Sequence, residues 1–236
     1  MSALRARIVE LCGRHALPEG ASRQLRSLLD VVETDPTAPT TVTDPVLGVE
    51  THVADSLDGL LVPGLRDAPT LADIGAGAGF PGLVLAVALP QTRVRLVESV
   101  GKKCDFMRRA AAAAGLDNVD VVAARAEEWR DGMGGNAVVT ARAVAPLGVL
   151  VEYAAPLLEP GGRLVAWKGA RDSAEEADAR AAAQATGLGA PEIVVVPGRP
   201  GAEHRHLHVL TKVEPTPSKF PRRAGMARKR PITAES

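Results

Sequence analysis

A glycine-rich loop between a short apolar strand and a helix constrains this chain more than any other feature. The loop occupies residues 73–82 and has the sequence DIGAGAGFPG. Glycines at alternate positions permit positive φ angles and leave room for a ligand to lie against the backbone. Pro81 suits the first turn of a following helix, where a missing N–H costs nothing. The loop predicts a nucleotide-like ligand, and the alternative is a tight turn that binds nothing.

The apolar pattern around this loop predicts an α/β fold with a mainly parallel, Rossmann-like sheet of seven strands. Ligands of such sheets bind beyond the carboxyl ends of the strands. Before the sheet, the spacing of apolar residues predicts two helices over residues 3–33, broken at Pro18 and Gly20, and a third over 48–61. Strands are predicted at 71–74, 94–97, 119–122, 137–140, 164–167, 193–196 and 207–210, helices at 81–88, 102–114, 147–158 and 173–185, and a turn at 160–162.

The pattern of elements and the distribution of charge together predict three segments. Residues 1–66 form a predicted N-terminal helical extension, 67–213 the α/β domain, and 214–236 a basic tail. The net charge of the whole chain is zero, but residues 212–236 carry seven Lys and Arg against two Glu, or +5. Such an arm is typical of a protein that binds a polyanion, and a solvated tail is the alternative. We expect the tail to bind a polyanion and to lie apart from the ligand site.

Composition excludes several classes of protein. The chain has no run of about 20 apolar residues, as a membrane span requires. Its two cysteines, Cys12 and Cys104, are far apart and predict neither a disulfide framework nor a zinc site. We therefore expect a cytoplasmic protein without a metal. His52 and Asp55 lie three residues apart, a spacing that favours capping or helix–loop packing over metal binding.

Three features favour S-adenosylmethionine over a dinucleotide as the ligand of the loop. Asp73 can bind the methionine ammonium, whereas it would repel a pyrophosphate. Glu98 ends the second strand, where its carboxylate can accept both ribose hydroxyls, although NAD-dependent enzymes also use an acid there. Ala126 and Glu127 follow the third strand, where an adenine edge would lie. The glycines at 77, 79 and 82 also match the dinucleotide fingerprint, so a NAD-dependent oxidoreductase stays an alternative.

Seven segments in order resemble the bacterial small-subunit ribosomal RNA guanine-N7 methyltransferases, also called glucose-inhibited division protein B. One departure is Thr51, where many relatives carry Arg. The resemblance covers nearly the whole chain, at residues 52–57 (HVADSL), 73–82, 98–103 (ESVGKK), 125–128 (RAEE), 141–143 (ARA), 168–169 (KG) and 220–231.

The resemblance implies a class I methyltransferase fold, S-adenosylmethionine as cofactor, and as substrate one guanine in a loop of 16S ribosomal RNA. The partner is then 16S RNA or the small ribosomal subunit, met by a monomeric enzyme, and a non-catalytic RNA-binding assembly factor is a further alternative. The resemblance places cofactor contacts at Gly75, Phe80, Ala126, Glu127 and Arg142. The residues alone add Asp73, Gly77, Gly79 and Glu98 to these cofactor contacts.

Methylation at N7 makes few chemical demands, because this nitrogen already carries an in-plane lone pair and loses no proton. We therefore expect positioning to dominate and no dedicated general base. Arg142 follows the fourth strand and can hydrogen-bond guanine O6. Lys168 follows the fifth strand and can bind an RNA phosphate. These two residues are the predicted catalytic group.

Overall fold

The computed structural model describes residues 3–199 and 202–235. An N-terminal helical layer comes first, with α1 (Ala3–Arg14) and α2 (Ala21–Thr34) ahead of a helical stretch that extends from Pro45 to Leu61. This stretch starts as α3 (Pro45–Gly48), widens into a π-helix (Val49–Ala54), continues as α4 (Asp55–Leu57) and ends as a 3₁₀ helix (Asp58–Leu61).

The following elements are the predicted series of strands and helices, with one short helix near the C-terminus that the sequence did not predict. They are β1 (Thr70–Ile74), α5 (Gly82–Ala88), β2 (Arg93–Glu98), α6 (Gly101–Ala113), β3 (Val119–Ala123), β4 (Asn136–Arg142), α7 (Leu147–Ala154), β5 (Leu158–Lys168), α8 (Ser173–Thr186), β6 (Glu192–Val195), β7 (His206–Thr211) and α9 (Met226–Lys229).

The described strands form one sheet in the order β3-β2-β1-β4-β5-β7-β6. β1 to β5 are parallel, and β7 runs antiparallel to both β5 and β6. The strand order reverses between β1 and β4, and open sheets of this kind bind ligands at such a switch point. The predicted seven-stranded, mainly parallel sheet with an N-terminal helical extension is confirmed.

Hydrophobic clusters cover both faces of the sheet. Leu71 of β1 joins the cluster that holds α1, α2, α5 and α6, while Ala72 and Ile74 face the cluster of α7 and α8. The alternation follows from the period of two in a strand. It also points Asp73 to the α5 side, which determines how the glycine loop is held. No described helix is both long and apolar enough to cross a membrane.

Three predicted boundaries were wrong. The turn at 160–162 lies inside β5, which starts at Leu158 and changes register against β4 between Asn136 and Val138. Gly161 has φ +79° there, so the glycine bends the strand instead of ending it. The helix predicted at 147–158 ends at Ala154, and the one predicted at 48–61 begins at Pro45, where Asp44 caps it.

Candidate cofactor site at the strand ends

The glycine loop uses its alternate glycines for different purposes. Gly75, Gly77 and Gly79 have φ of +64°, +61° and +89°, a region that L side chains rarely adopt. A Cβ atom on Gly75 would lie 2.8 Å from Val144 Cγ2, and one on Gly79 would lie 2.4 Å from Leu83 Cδ1. A Cβ atom on Gly77 would meet only the Gly75 carbonyl at 3.8 Å. The outer glycines therefore allow close packing, and the middle one faces open space.

Asp73 holds the two ends of the loop together. Its Oδ2 accepts the Gly82 N–H at 2.9 Å, and its Oδ1 accepts the Thr140 hydroxyl at 3.0 Å. The residue is 1% exposed, and burial raises the pKa of its carboxyl to about 6. Sequence reasoning assigned this acid to the methionine ammonium. The structure gives both of its oxygens partners inside the protein, so the role that we propose for Asp73 is to position the loop.

Glu98 lies at the carboxyl end of β2 and faces the loop. Its Oε2 accepts the Gly77 N–H at 3.2 Å, and its Oε1 accepts the Val100 N–H at 2.9 Å. Lys103 places its Nζ 3.9 Å from Oε2. Each carboxylate oxygen can accept more than one hydrogen bond. Glu98 can thus hold the loop and still offer lone pairs to a ligand.

A cavity of about 320 Å³ opens beside this loop, at the carboxyl ends of β1 to β4. This size is within the range of small-molecule sites, which starts at about 300 Å³. Four predicted cofactor residues line it: Gly75, Glu98, Ala126 and Glu127. The remaining wall is formed by Ile74, Val97, Ser99, Val100, Lys103, Ala124, Arg125, Ala143, Val144, Tyr153 and Arg228.

The basic tail reaches this cavity, contrary to our expectation that it lies apart from the ligand site. Arg228 lines the cavity, and the Gly225 N–H donates to Glu127 Oε1 at 3.0 Å. Composition identified only the charge of the segment. It contained no signal for the packing of Ala227, which is 2% exposed and belongs to the cluster under α7 and α8.

Phe80, Arg142 and Lys168 lie outside the set of residues that line the cavity. The Phe80 ring stacks on His52 with centroids 4.5 Å apart and planes 8° apart. Arg142 Nη1 donates to Asp55 Oδ2 at 2.8 Å and to the Thr51 carbonyl at 2.9 Å. Lys168 Nζ pairs with Glu175 Oε1 at 2.5 Å. All three side chains are therefore engaged by protein groups near the strand ends.

Comparison with known proteins identifies the family. Residues 39–207 match the GidB family, described as rRNA small subunit methyltransferase G. A protein named Ribosomal RNA small subunit methyltransferase G from Roseiflexus castenholzii is 48% identical over 198 residues, 82% of this chain and 83% of its own. One of the same name from Rubrobacter xylanophilus is 43% identical over 187 residues, 77% of this chain and 72% of its own. This chain belongs to the GidB family. It is a methyltransferase.

Solved structures agree on the fold of this GidB methyltransferase. A SAM-dependent O-methyltransferase from Thermotoga maritima has a TM-score of 0.57 at 16% identity and covers 76% of this chain and 74% of its own. The antibiotic-resistance methyltransferase Kmr has a TM-score of 0.51 at 22% identity and covers 63% of this chain and 88% of its own. At these identities the likeness establishes the fold, which is that of class I methyltransferases.

A carboxylate that accepts hydrogen bonds from three arginines holds the side chain of Arg142 at the end of β4. Asp55 accepts hydrogen bonds from Arg142 Nη1 at 2.8 Å, Arg199 Nη2 at 3.0 Å and Arg205 Nε at 2.6 Å. Arg199 also pairs with Asp58 at 2.6 Å. Three guanidinium groups against two carboxylates leave one net positive charge. The His-x-x-Asp spacing signalled packing at Asp55, but no sequence signal linked it to arginines about 90 to 150 residues away.

His206, His208 and Glu176 offer ligand atoms that all lie within 4.8 Å of one another. The two histidine Nε2 atoms are 3.0 Å apart. Both Glu176 oxygens already accept from the Arg171 guanidinium, each at 2.8 Å. This carboxylate is therefore engaged in an ion pair, and we assign the cluster to packing between β7 and α8.

Proposed function

We propose that this methyltransferase transfers the methyl group of S-adenosylmethionine to N7 of a guanine in 16S ribosomal RNA. Membership of the GidB family supports the substrate class, and the resemblance of seven ordered segments supports the guanine N7 target. The observation that carries the proposal is the combination of family membership with a cavity at the sheet's switch point, lined by the Gly75 loop and the Glu98 carboxylate.

The residues around the cavity fit S-adenosylmethionine. Gly77 has open space where a side chain would stand, and its N–H donates to Glu98, whose carboxylate lines the cavity. We propose that Glu98 accepts the ribose hydroxyls and that Ala126 and Glu127 contact the adenine edge. Gly75, Gly77 and Gly79 would present backbone to the methionine part. When bound, the cofactor supplies an electrophilic methyl group on a sulfonium.

The chain's own contribution to the reaction is positioning. A guanine N7 lone pair needs no base to expose it, so the protein has to align nitrogen and methyl carbon at about 3–3.5 Å. We propose that Arg142 orients the guanine through O6, with Asp55 and the Thr51 carbonyl fixing its guanidinium. Lys168 would bind an RNA phosphate at the end of β5, in exchange for part of its ion pair with Glu175.

The sequence left two alternative functions for a chain with these glycines. The comparisons do not support a NAD-dependent oxidoreductase or a non-catalytic assembly factor, because the curated relatives are named as rRNA methyltransferases. Calorimetry separates the first alternative from our proposal, since S-adenosylhomocysteine should bind more tightly than NAD. Tighter binding of NAD would exclude the proposed cofactor.

The experiment that tests the function is transfer of radiolabelled methyl groups to purified 16S RNA and to 30S subunits. We expect incorporation into at least one of these two substrates, and the comparison identifies which form the enzyme uses. Glu98→Ala serves as the control variant in which cofactor binding is weakened. It should transfer less label to the RNA than the wild type does. Absence of incorporation into both substrates by an enzyme that binds S-adenosylmethionine would contradict the proposal. The monomeric state and the cytoplasmic location stay predictions.

A further inference from the structure

The C-terminal strap, residues 220–232, is anchored to the body of the protein at sites away from the cavity. The Arg222 guanidinium donates to both oxygens of Glu152 on α7, at 2.7 and 2.5 Å. Glu152 is buried and Arg222 is partly exposed, so water reaches this pair only from the side of the arginine. Ala227 and Ile232 pack on the cluster between the sheet and α7. The strap is therefore a fixed part of the fold rather than a solvated arm.

The strap also joins the two loops that flank the cavity. The Gly225 N–H donates to Glu127 Oε1 at 3.0 Å, and Glu127 follows β3. Arg228 Nη2 donates to the Val144 carbonyl at 2.7 Å, and Val144 follows β4. One short segment thus donates hydrogen bonds to two residues of the cavity wall, and these two residues follow different strands.

The Arg228 side chain lies in the cavity wall itself. It shares that wall with Tyr153. Arg228 is an exposed residue that lines the cavity, so part of it is open to a ligand. A guanidinium is planar and permanently charged, and it can stack on an aromatic ring while hydrogen bonding at its edge.

We propose that Arg228 is a cofactor-binding residue that contacts the adenosine half of the cofactor. This rests on the proposed function, because it takes S-adenosylmethionine as the occupant of the cavity. The adenosine half is favoured on two grounds. Ala126 and Glu98, the candidates for adenine and ribose, line the same cavity. A guanidinium attracts the face of an adenine ring but would repel a sulfonium of the same charge.

One consequence concerns the rest of the strap. Arg223, Lys229 and Arg230 are exposed on the same segment and are available to RNA phosphates. Deletion of residues after Pro217 should therefore lower the affinity of the protein for the cofactor as well as its affinity for RNA. This reverses the expectation from composition, in which the tail and the cofactor site are separate.

The test is calorimetry of S-adenosylhomocysteine and S-adenosylmethionine with Arg228→Ala and with Arg223→Ala. Arg223 is the matched control, since it is an exposed arginine of the same strap. We expect Arg228→Ala to raise the dissociation constants of both ligands about tenfold, equivalent to about 1.4 kcal/mol. The dissociation constants of Arg223→Ala should stay within about twofold of the wild-type values. Arg228→Gln, which keeps a donor for the Val144 carbonyl, should bind with intermediate affinity. Thermal unfolding of each variant checks that the fold is intact.

Three outcomes would overturn the proposal. Wild-type affinity in a folded Arg228→Ala protein would show that the side chain makes no contact with the cofactor. Weaker binding of only one of the two ligands would place the contact at the sulfur rather than at the adenosine that they share. A wild-type protein that binds neither ligand would fail at the proposed function itself, and this result is distinguishable because it does not depend on Arg228.

Discussion

At the scale of single residues, the two acids of the glycine loop differ in what they face. Asp73 is enclosed by Gly82 and Thr140, whereas Glu98 lies in the cavity wall. Sequence reasoning located both residues, because an acid before the first glycine and an acid after the second strand are local features. It could not determine which way Asp73 points. The direction depends on the pairing of β1 with β4, which brings the Thr140 hydroxyl to the carboxylate.

Replacement of Asp73 distinguishes two roles for this residue: positioning of the glycine loop, and binding of the methionine ammonium through its charge. Asp73→Asn keeps an acceptor and adds a donor of the same shape, so we expect near-normal folding and S-adenosylhomocysteine affinity. Asp73→Ala leaves the Gly82 N–H without its partner and should cost about 1–3 kcal/mol of folding free energy. Urea unfolding and calorimetry on both variants provide the measurements. A folded Asp73→Asn protein that loses cofactor binding would instead support the ammonium contact.

Glu98 is expected to act mainly through the ligand. Glu98→Ala should weaken the binding of S-adenosylhomocysteine by about 1–3 kcal/mol, which is the usual cost of losing hydrogen bonds to a charged group. Glu98→Gln retains one acceptor and should lose less. Calorimetry measures both, with circular dichroism to confirm the fold. If Glu98→Ala bound with wild-type affinity, the ribose would have to lie elsewhere.

At the scale of elements, Gly77 offers a test of the loop because a second glycine can serve as its control. Gly77 and Gly161 have φ of +61° and +79°, and a Cβ atom on either has no protein atom closer than 3.8 Å. Alanine at each site should therefore carry a similar backbone strain of about 1–2 kcal/mol. Only Gly77→Ala should also lower the affinity for the cofactor, because Gly161 lies in the bend of β5 and not in the glycine loop. Equal cofactor affinity in the two variants would show that the ligand does not approach Gly77.

The elements were predictable where their pattern is local. Each strand between β1 and β7 follows from a short apolar run, and each helix from spacings of three and four. The π-helical segment Val49–Ala54 was not predictable, because its extra residue is accommodated by tertiary contacts such as His52 Nε2 to the Val42 carbonyl at 2.9 Å. The bend inside β5 was missed for a similar reason. A proline and two glycines usually end a strand, but here β4 and β7 continue the pairing on either side.

At the scale of the whole molecule, the contacts that sequence could not supply are the long-range ones. The Asp55 carboxylate gathers arginines from β4 and from the segment before β7, and the strap brings Arg228 back to the cavity. Nothing in the local pattern of either segment encodes its partner. The division into residues 1–66, 67–213 and 214–236 stays a prediction. The first and last of these segments pack into the clusters on opposite faces of the sheet.

Acid stability of the whole protein should depend on His208. Burial lowers the pKa of this histidine to about 4 from an ordinary value of 6.5. Below pH 6.5 the unfolded chain binds a proton that the folded protein resists, so the free energy of unfolding falls as the pH drops towards 4. The raised pKa of Asp73 acts in the opposite direction but is common to wild type and variant. Urea unfolding at pH 7 and pH 5 should therefore show a smaller loss for His208→Gln than for the wild type. Equal losses would mean that His208 does not resist protonation.

The most direct test of the account is to locate the methyl group on the RNA. Methylation at N7 places a positive charge on the purine, which makes that nucleotide susceptible to reduction by borohydride and strand scission by aniline. After 16S RNA and 30S subunits have reacted with the purified enzyme and S-adenosylmethionine, borohydride and aniline treatment should cleave the 16S RNA of the methylated substrate at one guanine, and nucleoside analysis should find 7-methylguanosine. Label that enters the RNA without scission, or that appears in another nucleoside, would contradict the proposed target atom.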